Sequence, residues 1–142
     1  MNMDLVNLNK VLTDIVRLKN KLASMSYNDD SYDAIEDELH ELEDEFNEEF
    51  GEYLEDVLID LHDDLKSESE VLLPTAYLAE KYVPAGEDAS GEALFQIPKG
   101  SGVFVDSDND GVNQQLLLLP TPARFAVYNN GKFEGVVWKA KK

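Results

Sequence analysis

Eight apolar residues, Ile35, Leu39, Leu42, Phe46, Phe50, Tyr53, Val57 and Leu61, recur at spacings of 4, 3, 4, 4, 3, 4 and 4. An eleven-residue repeat of this kind corresponds to about 3.67 residues per turn, which favours a straight or slightly right-handed stripe on one side of a helix. A strand alternates its side chains with period two and cannot place these positions on one face. The spacing predicts a single long helix from about residue 31 to residue 66, roughly 54 Å in length. Gly51 is the one position inside it expected to kink, at a cost of about 1 kcal/mol relative to Ala.

A second helical pattern precedes it. Leu5, Leu8, Leu12, Ile15 and Leu22 form a heptad series interrupted by Lys19, with Val11, Leu18 and Met25 on the adjoining row. This helix is expected from Met3 to Met25, about 35 Å long, and its apolar stripe is wide enough to imply more than one packing neighbour. Between the two lies Ser26-Tyr27-Asn28-Asp29-Asp30-Ser31, rich in residues that end one helix and cap the next. Together they predict a long antiparallel, coiled-coil-like hairpin whose second arm outruns the first by several turns. The surplus carries Val57, Leu58, Ile59, Leu61 and Leu65. Those residues require cover, either from the rest of the chain or from a second copy of it.

The charge is as uneven as the hydrophobicity. The chain carries 12 Lys and Arg against 30 Asp and Glu, a formal charge of −18. Residues 1–27 contribute +2, residues 28–70 contribute −19 and residues 71–142 contribute −1. The excess therefore belongs to the second helix and its flanks. Along that helix Asp37–Glu41, Glu41–Glu45, Asp44–Glu48, Glu45–Glu49, Glu48–Glu52, Glu52–Asp56, Asp56–Asp60 and Asp60–Asp64 are like-charged pairs four residues apart. They cost on the order of 2–4 kcal/mol at low salt, which burial of the apolar stripe must offset. The acidic side is either a solvated face, partly compensated by Lys10, Arg17 and Lys21 of the first helix, or a docking surface for a basic protein. Its candidate residues are Glu41, Glu45, Glu48, Glu52 and Asp56.

After residue 70 the character changes. Ala93–Ile97, Gly102–Val105, Leu116–Leu119, Ala123–Tyr128 and Phe133–Trp138 read as strands separated by turn signals. Asn130-Gly131 between the last two is a strong hairpin signal. Thr75–Val83 fits a short helix behind Pro74 or a strand equally well. The expected fold class is α+β: a helical hairpin over residues 1–70, then a small antiparallel β-sheet or partly open β-barrel over residues 71–142. Phe125, Phe133 and Trp138 are expected as core of this sheet rather than as a binding platform.

One motif carries chemistry. Asp106-Ser107-Asp108-Asn109-Asp110-Gly111-Val112 resembles the first half of a D-x-D-x-D-G calcium loop, in which alternate side chains bring hard oxygens onto one ion and glycine permits the turn. The ligands would be Asp106, Asp108, Asp110 and the carbonyl of Val112. An EF-hand would place its bidentate glutamate where this chain has Leu117. Gln114 is neutral where shorter loops between strands often carry an acid. The resemblance is therefore closer to a calcium loop on a β-hairpin, with weak affinity for Ca2+, or the segment is simply a polar hairpin tip.

Several classes are excluded or disfavoured. The sequence has no cysteine, which removes disulfides, thiol catalysis and zinc-cysteine sites. A net charge of this sign repels nucleic acid. No apolar run is long enough for a transmembrane helix, and the start lacks the basic and apolar regions of a secretory signal, so no membrane association and a cytoplasmic location are expected. Asp37 and His40 have half the spacing of a carboxylate-bridged metal site, but His40 and His62 lie about 33 Å apart along one helix and cannot share an ion. No catalytic motif occurs. The expectation is a non-enzymatic interaction or oligomerisation module, dimeric through its hairpin or docked to a basic partner. The alternatives are a weak calcium-binding β-domain and a small enzyme of unidentified class.

Overall fold

The protein is described from a computed structural model, in which residues 4–65, 70–87, 91–98, 101–105, 114–120, 123–129 and 132–139 are placed. Helix α1 runs Leu5–Ala23. It begins at Asp4, whose Oδ1 accepts the Asn7 amide at 3.0 Å and satisfies one of the free donors of the first turn. Helix α2 runs Tyr32–Asp64, 33 residues or about 50 Å, against 19 residues and about 28 Å for α1. Gly51 does not interrupt α2. The helices form a hairpin: the Asn7 side chain near the start of α1 donates to Glu49 of α2 at 3.0 Å, while Leu22 and Ala23 at its end share a groove with Tyr32 and Leu39.

The length mismatch is taken up within the chain. In the first half of α2 the buried residues are Ile35, Leu39, Phe46 and Phe50, opposite α1. Beyond Phe50 the buried line moves around the helix to Leu54, Leu58, Leu61 and His62, because a different neighbour lies there. That neighbour is the C-terminal half: a single 3-10 turn at Pro74–Tyr77 and the last β-strand. The T-shaped pairs His62–Tyr77 and Tyr53–Trp138, with ring centroids 6.1 Å apart in each, mark the contact. The wide stripe on α1 likewise meets two neighbours, since Asn9 accepts the Ala123 amide and Asn20 bonds Tyr82.

Among the described residues six strands follow: β1 (Val83–Glu87), β2 (Ala93–Gln96), β3 (Val103–Val105), β4 (Gln114–Leu119), β5 (Arg124–Asn129) and β6 (Lys132–Lys139). They make a two-stranded sheet, β1-β2, and a four-stranded antiparallel sheet in the order β3-β4-β5-β6. The fold is α+β, and the described strands form two open sheets rather than a closed barrel. The five strands read from sequence are present. The sixth, β1, contains Pro84 and a positive-φ Gly86, the residues that mask a strand signal, and its pairing with β2 shifts register between Pro84 and Glu87. The segment 75–83 begins as the 3-10 turn and joins β1 at Val83. Asn129 pairs with Lys132, so the β5-β6 connection is two residues, 130–131.

The run Leu116-Leu117-Leu118-Leu119 does not alternate, and all four side chains are fully buried. A continuous apolar strand is what a sheet covered on both faces requires. On the helix side, Phe125 stacks against Tyr77 and Trp138 at centroid distances of 5.8 and 5.6 Å. On the other side, Tyr128 donates to the Phe95 carbonyl at 2.8 Å, and the buried Arg124 guanidinium donates to the carbonyls of Pro120 and Ala93. One buried cluster joins α1, α2, the 3-10 turn, β4 and β5. Trp138 and Phe133 are partly buried against that cluster and Phe125 belongs to it, so these aromatics serve as core. No helix among the described residues is long and apolar enough to cross a membrane.

Candidate functional site

The acidic face is built by the periodicity that builds the core. Glu41, Glu45, Glu48, Glu52 and Asp56 repeat at spacings of 4, 3, 4 and 4, in step with the apolar stripe, and project from the side of α2 away from the buried residues. All five are exposed. Burial of the stripe therefore orients the carboxylates, which make no ion pair of their own among the described residues.

The expected compensation from α1 does not form. Lys10 lies 3.8 Å and Arg17 2.6 Å from Asp14, so both serve their own helix. Among the described residues no Lys or Arg nitrogen lies within 4.0 Å of a carboxylate on α2. Asp63 and Asp64 add anions at the helix C-terminus, where the dipole disfavours them. The repulsion is thus retained in the folded state and offset only by apolar burial.

The face is interrupted at one place. Extended by the same spacing, the row 41, 45, 48, 52, 56 continues to 59 and 63, and position 59 is Ile59, 55% exposed. Three residues further on, His62 turns inward and its Nε2 lies 2.9 Å from the Tyr77 hydroxyl. That hydroxyl also accepts the Leu72 backbone N–H at 3.2 Å, and burial raises its pKa above the ordinary tyrosine value. The Leu72 backbone is tied in this way to the last turns of α2, and Leu72 and Leu73 are 43% and 54% exposed. The sequence periodicity counted Ile59 only among residues in need of cover. The outward position of Ile59 was readable from its place in the acidic row, whereas the placement of Leu72 depends on a hydrogen bond with no sequence signature.

Asp106, Asp108, Asp110 and Val112 lie outside the described residues. The strands on either side are described: Val105 of β3 pairs with Gln114 of β4, so the motif connects two antiparallel strands rather than two helices. Among the described residues no group of three or more His, Asp or Glu side chains could hold a metal ion. His40 is exposed on α2 and His62 is buried, well separated along the helix.

A groove of about 320 Å³ is lined by Lys19, Leu22, Ala23, Tyr32, Leu39 and Glu80. Lys19 and Glu80 both line it and form no ion pair with one another. No protein-family model, no curated protein and no solved structure matches the chain.

Proposed function

We propose that the chain is a non-enzymatic interaction module whose α2 face, Glu41, Glu45, Glu48, Glu52 and Asp56, docks a basic protein partner. The observation that carries this is the uncompensated acidic row, five exposed carboxylates without a cation among the described residues while Lys10 and Arg17 are committed to Asp14. Like charges four residues apart cost stability that alternating signs would not, and the excess charge they provide serves docking as well as solubility. A single-sign row steers a basic partner and raises its association rate.

The test uses the full chain and a variant with Glu41, Glu45, Glu48 and Glu52 all changed to Gln, each used to capture proteins from host lysate at low and high salt. The proposal expects basic proteins that bind the parent, leave at high salt and are absent with the variant. Identical captured sets would refute it.

A further inference from the structure

We infer that Ile59, with Leu72 and Leu73, is the apolar anchor of this docking face, and that its partner is a basic amphipathic segment presenting an apolar side chain among lysines or arginines. The inference rests on the reading of α2 as a docking surface and specifies what docks there.

Ile59 occupies a position of the acidic row, with Asp56, Asp60 and Asp63 on neighbouring positions of the same helix surface, all exposed. The row has charge on both sides of Ile59, at Asp56 and Asp63. Ile59, Leu72 and Leu73 are each more than two fifths exposed, and the shared Tyr77 hydroxyl brings the Leu72 backbone to the turn of α2 that carries His62, three residues beyond Ile59. An apolar centre with a charged rim is the anatomy of a protein docking site, in which a few anchors supply affinity and the rim supplies orientation and rate.

The occupant follows from charge complementarity. A purely basic segment would leave Ile59, Leu72 and Leu73 wet, and a purely apolar one would desolvate the carboxylates without replacing their hydration. A helix with apolar residues at i, i+3, i+4 and i+7 and basic residues on the flanks satisfies both. A second copy of the chain offers an acidic α2 to an acidic α2 and is the poorer match. The edges of the four-stranded sheet do not compete for this role. Strand β6 carries two register irregularities against β5 and charged residues Lys132, Glu134 and Lys139, and β3 has only three residues.

The probes are a labelled peptide of about 18 residues made of leucine and lysine in that amphipathic pattern, and a control with every leucine replaced by serine. Fluorescence anisotropy with the full chain is expected to show tighter binding of the leucine peptide. Ile59→Ser should weaken that binding about tenfold and leave the control unchanged, with Leu72→Ser acting in the same direction. Both positions are exposed, and unchanged thermal unfolding verifies that the variants fold. Equal binding of the two peptides, unmoved by Ile59→Ser, overturns the anchor and leaves acidic docking standing. Binding of neither peptide overturns both. Sedimentation showing a dimer that Ile59→Ser abolishes would assign the patch to a second copy and overturn the inference.

Discussion

Asn20 of α1 and Tyr82, just before β1, exchange two hydrogen bonds: the Asn20 side chain accepts the Tyr82 N–H at 2.7 Å and donates to the Tyr82 carbonyl at 3.1 Å. A side-chain amide reproduces both bonds of a β-ladder at a place where no strand is available. It fixes the segment whose buried Tyr82 hydroxyl in turn donates to the Leu118 carbonyl at 2.8 Å. Helix α1 is thereby joined to the centre of the four-stranded sheet. Asn20→Ala should cost about 1–3 kcal/mol, since it leaves two backbone groups unpaired. Asn20→Asp, which accepts but cannot donate, should cost more than a surface Asn→Asp change elsewhere. Urea unfolding monitored by tryptophan fluorescence measures both, and a loss below about 0.5 kcal/mol for Asn20→Ala would contradict the role.

Gly51 lies inside an unbroken helix, and a Cβ built there meets nothing within 4 Å. Gly51→Ala should therefore stabilise the protein by about 0.5–1 kcal/mol, through helix propensity and a more restricted unfolded chain. A higher urea midpoint with unchanged slope is expected. A lower midpoint would show that the glycine serves a close approach.

Gly102, preceding β3, presents the opposite case. Its φ is +76°, and an added Cβ would lie 2.7 Å from both the Leu116 carbonyl oxygen and Leu117 Cγ. Gly102→Ala combines left-handed strain with a backbone clash and should cost at least about 2 kcal/mol. The same denaturant measurement decides it.

Alkaline pH should weaken the fold through its buried tyrosines. Burial pushes the Tyr128 hydroxyl up to about 12, against the opposing influence of Arg124, and raises Tyr77 and Tyr82 as well. Once unfolded, each loses its proton near pH 10, so above that pH the native state binds more protons than the unfolded one. Stability is then full below pH 10 and falls as pH rises toward 12, by up to about 1.4 kcal/mol per pH unit for each such tyrosine. Urea midpoints across pH 9 to 12 test this, and a flat profile would contradict it.

What was legible in sequence follows physical range. The eleven-residue repeat located α2 to within two residues at either end, because one long helix imposes its period on every turn. The strands from Ala93 onward were legible for the same local reason. Strand β1 was not, because Pro84 and Gly86 are compatible with a strand only at an irregular edge. Periodicity leaves the cover over Leu58 and Leu61 as a choice between the chain and a second copy, and only tertiary packing makes that choice. The acidic face was legible residue by residue, since it shares the period of the core. The pairing of Lys10 and Arg17 with Asp14 was not, because salt bridges three and four residues apart on α1 compete with contacts across the hairpin and spacing alone does not rank them.

Whether α2 keeps its repulsive acidic row for binding rather than for solubility is tested most directly by changing Glu41, Glu45, Glu48 and Glu52 together to Gln. Removing four charges relieves like-sign pairs worth roughly 0.2–0.5 kcal/mol each, so at low salt the variant should unfold at higher urea concentration than the parent, with the gap closing as salt is added. The same variant should lose its salt-sensitive basic partners. Greater stability together with lost binding is the predicted result. Greater stability with binding unchanged would show that the row is a solvated face and nothing more.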